Sequence, residues 1–352
     1  MSEPVKKVDQ TPESYSPKSK PEILNMMDKL QVNELILPAS KTLNFDRKTY
    51  FMHPDHFIAN FAAAYIYIDK LPEKNIDGLD EAFLTFCGIP LIRNDYQNSM
   101  TEAKKLSGAD GSYFASEHNV DFLFGYTGYE YDKITEKAKF NNIIKKSINE
   151  EKPVLAKIKS AGYCIISGYD DDNFISTNYN KQALNAETIE HIYIFGNKTE
   201  PRYRLKDALK RVLYYIEWNV NERIWDKHIE EINAIRGDKK ETDELKKVVG
   251  IIADHSFEAS YTWAFAETFN KRFSDELKNP KLDEMCSKLG DLGYNNCTYS
   301  WRTLFLKEQT NWDFKYVQYY GTLIDMVVEL VRSHQKADRE FIDIINSMIL
   351  IL

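Results

Sequence analysis

The chain has 352 residues, 43% of them hydrophobic and 28% charged, and a formal net charge of −8. That length and apolar share suit more than one packed core, and an acidic balance without a basic stripe argues against nucleic-acid binding. The four cysteines, Cys87, Cys164, Cys286 and Cys297, form no CxxC pair and have no His at ligand spacing, so neither a zinc site nor a disulfide framework is expected.

In chain order, MSEPVKKVDQTPESYSPKSKP opens polar and rich in Pro and Ser, without the apolar stretch of a signal peptide. Residues 1–34 read as a flexible arm, with a helical turn in PEILNMMDKL and a strand in NELILP at 33–38. No run reaches the roughly 18 apolar residues of a membrane span, so a cytoplasmic protein without a membrane partner is expected. Asp55 can cap a helix that runs to Leu71 through FIANFAAAYIYIDKL, apolar on all sides and therefore buried. A helix over 78–87 stops at Cys87-Gly88-Ile89-Pro90, and another at 99–106 precedes the loop SGADGS. FLFGYTGYEYDKI (122–134) holds a short strand, and KAKFNNIIKKSINEEK (137–152) a helix. PVLAKI, YCIISGY, NFISTNY and HIYIFGN follow as four short β pieces between turn signals, which predicts an antiparallel sheet. Beyond Thr199–Pro201 the apolar residues recur at helical spacing to the end of the chain.

KPVLAKIKSAGYCIISGYDDDNFISTNYN (152–180) resembles the sheet segment of peptidase C39-like proteins. In that family a KPV strand, a turn, an apolar strand ending in Gly-Tyr-Asp-Asp and a short strand carrying Asp or Asn follow one another. HPDHFIANFAAAYIYID (53–69) resembles the family's central helix, in which an aromatic residue stands two before the catalytic Cys. The helical second half is similar to the appendage of butirosin-type acyltransferases, with His255-Ser-Phe-Glu-Ala-Ser-Tyr as the matching helix start. Gly168-Tyr169-Asp170-Asp171 is the most specific motif of a resemblance that spans residues 35–350.

The resemblance implies an α+β papain-like domain over 35–200, a central buried helix packed on a small antiparallel sheet, and an α-helical C-terminal domain over 201–352. It also implies an acyltransferase of nonribosomal specialised-metabolite (antibiotic) biosynthesis. Such a protein moves an acyl group from a carrier-protein thioester to a small amine and needs no cofactor. A cysteine-protease homologue of this kind forms amide bonds in closthioamide assembly. The papain-like nucleophile is a Cys at the start of the helix, activated by a His on the sheet that an Asn or Asp orients.

Carried over residue by residue, the nucleophile position falls on Ala59 and the oxyanion donor, six residues earlier, on His53. The base position falls on Gly162 or Tyr163, and the orienting position on Asn178. Ala59 admits three explanations: a natural pseudoenzyme that binds or scaffolds, a Cys→Ala replacement, or a different register using His53, His56, Tyr163 or Cys164. Proteolysis is disfavoured, because neither Cys nor His stands where it needs them.

Other signals have plainer readings. His53 and His56 lack a third metal ligand, and Asp170-Asp171-Asp172 lacks the calcium-loop pattern and reads as a solvated hairpin turn. Cys164, inside YCIIS, reads as a buried thiol. His255, Glu258 and Glu267 read as a solvated or salt-bridged helix face, and the aromatic residues of 122–131 and of the helical half as core.

Overall fold

The strand segments 154–158, 163–170 and 189–198 present alternating apolar faces, and in the computed structural model they form the centre of a mixed α+β fold with an antiparallel sheet. The structure describes residues 38–44, 57–72, 78–88, 116–159, 162–176, 184–221, 223–237, 279–292 and 320–352. All but Pro38 belong to one compact unit, Ala39–Leu352. The strands are β1 (Ser40–Thr42), β2 (Tyr129–Ile134), β3 (Val154–Ile158), β4 (Tyr163–Asp170), β5 (Asn173–Ser176) and β6 (Ile189–Lys198). Their order is β1-β4-β3-β6-β2, with β5 hairpinned onto β4.

The helices are α1 (Phe57–Asp69), α2 (Leu79–Phe86), α3 (Glu117–Thr127), α4 (Phe140–Asn149), α5 (Leu205–Asn221), α6 (Ile224–Gly237), α7 (280–292) and α8 (Tyr320–Ile351). Side chains alternate across a strand, so the sheet has two distinct faces. Leu155, Tyr163, Ile165, Tyr193 and Phe195 face a large core built with α1, α2, α3 and α5, which also takes in Leu289 of α7 and Phe341 of α8. Val154, Ala156, Cys164, Ile166 and Ile192 face the other way, onto Phe140, Ile144 and Ile148 of α4. Among the described residues no helix is long and apolar enough to cross a membrane.

The strand expected within 122–134 is β2 at Tyr129–Ile134, and the stretch before it, for which no helix was expected, is the end of α3. Val120, Leu123, Phe124 and Thr127 are buried at helical spacing, and Ser116 Oγ accepts from the Asn119 amide at 3.2 Å. Gly128, at φ 77°, closes α3 with its N–H on Phe124 O before β2 begins at Tyr129. Periodicity and the two caps make a helix of the aromatic run before Gly128. A side chain at Gly128 would place Cβ 2.6 Å from the Thr199 carbonyl. Gly128→Ala therefore combines left-handed strain with a clash against backbone, and should cost about 2 kcal/mol in a denaturant titration. An unchanged midpoint would contradict this account of the α3–β2 corner.

The change of character near Thr199–Pro201 falls between the end of β6 at Lys198 and the start of α5 at Leu205. Arg211 ties α5 back to the first half of the chain. Its Nε donates to Phe86 O at 3.0 Å, its Nη2 to Asn119 Oδ1 at 2.7 Å, and its guanidinium lies 4.4 Å from the Phe122 ring centroid. The long run LKDALKRVLYYIEWNVNERIW breaks where Arg223 takes φ 55°, which separates α5 from α6.

Candidate functional site

Phe57, Asn60, Phe61 and Ala64 recur at i, i+3, i+4 and i+7, so they share one side of α1. Toward that side the sheet presents Tyr163 of β4 and Tyr193 of β6: the Phe57 ring lies 5.2 Å from Tyr163 and 5.3 Å from Tyr193. The strand register aligns a polar row there. Lys157 of β3 pairs with Tyr163 on one side and with His191 of β6 on the other. All three side chains therefore point to the same face.

Tyr163 Oη and His191 Nε2 are 3.1 Å apart, reaching past β3. With Nδ1 protonated, the imidazole accepts the phenol proton; with Nε2 protonated, it donates to the phenol oxygen. Lys157 Nζ sits 5.4 Å from the Tyr163 ring centroid, and Lys133 Nζ 5.7 Å from that of Tyr193. Tyr163 is 3% exposed and His191 7%. Such a pair can hold or pass one proton, with a cation beside it and little bulk water.

Of the residues singled out by the sequence, Ala59 and Tyr163 lie on α1 and β4, which pack together. Ala59 is fully buried, and about 100° round the helix from Asn60 it lies off the row that meets Tyr163. Gly162 precedes β4, its carbonyl accepting from the Ile158 amide at 3.1 Å. His53 and Asn178, like His56, His255, Glu258 and Glu267, lie outside the described residues.

Cys164 belongs to the opposite face of the sheet, among the residues packed on α4. Burial pushes its thiol up to about 12, and does the same to Cys87 at the C-cap of α2 and to Cys286 of α7. None of these three is a thiolate at neutral pH. Of the four cysteines, only Cys297, outside the described residues, is left to react. Iodoacetamide at pH 8 should therefore add no more than one label to the folded chain by intact mass, and two labels would refute the burial argument.

Asp170, Asp171 and Asp172 form the exposed turn between β4 and β5, where Asp172 Oδ1 accepts from Asn141 Nδ2 at 3.2 Å and lies 3.5 Å from Lys145 Nζ. Phe122 stacks on Tyr126 and Tyr203, and Phe124 on Tyr131, so these rings are packing.

Sequence reasoning missed His191, Lys157 and Asn60. The signal for His191 is the period of two in HIYIFG, which puts His191, Tyr193 and Phe195 on one face. That for Asn60 is a lone amide within an apolar helix.

Comparison with protein-family models gives no match, and comparison with curated proteins gives none either.

Proposed function

We propose that this chain is a papain-like acyltransferase that joins an acyl group to an amine, with Tyr163 and His191 as its acid–base pair. The frame expected from the resemblance is a papain-like domain and a helical domain. The substrates are a carrier-protein thioester and a small amine of nonribosomal specialised-metabolite assembly. The observation that carries the reading is the 3.1 Å contact between Tyr163 and His191, where the resemblance puts the base, with Tyr163 against Phe57 of α1.

Ala59 cannot form an acyl-enzyme, so the transfer is direct. The amine nitrogen attacks the thioester carbonyl, and the C–N bond forms as the C–S bond breaks. The amine proton passes to the Tyr163 oxygen while the phenol proton moves to His191 Nε2. The departing thiolate then recovers a proton by the reverse path, and amide and thiol leave. The ammonium of Lys157, in the same row, offsets negative charge on the carbonyl oxygen. Low exposure of the pair favours the amine over water as acceptor.

A second reading, a non-catalytic binding or scaffold protein on the same frame, is favoured by Ala59 and by the three buried thiols. Incubating the full chain with acyl N-acetylcysteamine thioesters and primary amines separates the two. Amide product without acylated protein is the expected result. An acyl adduct on the protein would overturn direct transfer. No amide across the panel would overturn acyl transfer and leave binding as the function.

A further inference from the structure

We infer that Asn60 is a positioning residue for the Tyr163–His191 pair; its kinetic consequence rests on the acyl-transfer reading, its structural consequence does not. Asn60 is the sole polar residue in the buried stretch Phe57–Ala64 of α1 and has no exposed surface. Burying an amide there is costly unless it is hydrogen-bonded. Its Nδ2 donates to the main-chain oxygen of Tyr163 at 3.3 Å, across 103 positions of sequence.

The strand pairing explains how a side chain of α1 can reach that oxygen. The Ile158 amide donates to Gly162 O, so residues 158 and 162 form a hydrogen-bonded pair of the antiparallel β3–β4 ladder. The next pair, Lys157 and Tyr163, is then the non-hydrogen-bonded kind, with the Tyr163 carbonyl turned away from β3. On that other side, among the described residues, β5 pairs with β4 from Ile166 and β1 from Gly168 onward. Asn60 fixes the first residue of β4 against α1. The Tyr163 backbone sets the angle from which its phenol meets His191, so the amide acts on the pair through the strand.

The non-hydrogen-bonded register also brings the Lys157 and Tyr163 side chains closer than a hydrogen-bonded pair would. Asn60 thereby governs two contacts of Tyr163, with His191 and with the Lys157 ammonium.

The test compares Asn60→Leu with Ile144→Val, a core change on the α4 face of the sheet, in the full chain labelled with ¹⁵N-histidine. His191→Gln identifies the His191 imidazole signals. In Asn60→Leu those signals should move toward the averaged tautomers of a free imidazole, and amide turnover should fall about 10- to 100-fold in kcat with KM within about twofold. Ile144→Val should lower the melting temperature and leave both readouts unchanged. Asn60→Ser, whose hydroxyl is too short to reach Tyr163 O, replaces the Leu variant if that one does not fold. Unmoved His191 signals in the Asn60 variants would overturn the inference even where the wild-type chain makes amide. A wild-type chain that makes no amide overturns the acyl-transfer reading, and the imidazole signals still decide the role of Asn60.

Discussion

His191→Gln is expected to lower amide formation at least about 10²-fold while the protein stays folded, because positioned acid–base groups contribute about 10²- to 10⁴-fold. Gln keeps a side-chain oxygen able to accept from the Tyr163 phenol, so the buried contact is replaced without leaving Tyr163 Oη alone. Tyr163→Phe is the complement. It keeps the ring against Phe57 and Tyr193 and removes only the oxygen. If the two groups move one proton together, the double variant should be no slower than the slower single variant, since residues acting as a unit are not additive. The measurement is product formed per protein at saturating thioester and amine. A His191→Gln protein with more than half the wild-type rate would remove the pair from the mechanism. Equal rates in both single variants and the wild type would leave Lys157 without a base to assist.

Much of the sheet was legible in the sequence because its strands are short apolar runs bounded by turn residues. PVLAKI, YCIISGY, the NFIS of NFISTNY and HIYIFGN correspond to β3, β4, β5 and β6. The buried helix was legible for the same kind of reason: FIANFAAAYIYID is apolar all round, and α1 occupies Phe57–Asp69. The strand within 122–134 was legible too, as β2, but the helix before it was not. In FLFGYT the aromatic residues stand on most positions and obscure the helical repeat, which the caps at Ser116 and Gly128 delimit.

The site was harder to read, and the reason is geometric. Tyr163 emerged from the position it occupies in the resemblance. His191 lies 28 positions away, and it meets Tyr163 only because β3 stands between β4 and β6 in the sheet. A period of two assigns a residue to a face but says nothing of which strands are neighbours, so the row Tyr163–Lys157–His191 belongs to the topology. Asn60 depends on tertiary structure in the same way, since its partner is a backbone carbonyl that no sequence pattern marks.

Phe61→Ala is expected to cost about 3–5 kcal/mol, the largest stability effect of the changes considered, through lost burial and the cavity left behind. Phe61 has no exposed surface, and its ring lies 4.9 Å from Phe124 of α3, 5.5 Å from Phe195 of β6, 5.8 Å from Phe83 of α2 and 6.0 Å from Phe57. Four rings from three helices and the sheet meet on this one, so the hole cannot close by the shift of a single neighbour. Against a domain stability of about 5–15 kcal/mol, the loss brings the chain near its unfolding threshold. Phe61→Leu keeps most of the apolar volume and should cost about half as much. Chemical denaturation of the full chain measures both, and an Ala variant within 1 kcal/mol of wild type, roughly a surface substitution's effect, would refute the ring cluster as the anchor of α1. Asn60 precedes Phe61 on the same helix, so the anchor that stabilises the core also holds the amide against β4. Phe61→Leu should therefore loosen the His191 imidazole only as far as α1 itself loosens, whereas the Asn60 variants loosen it with α1 still in place.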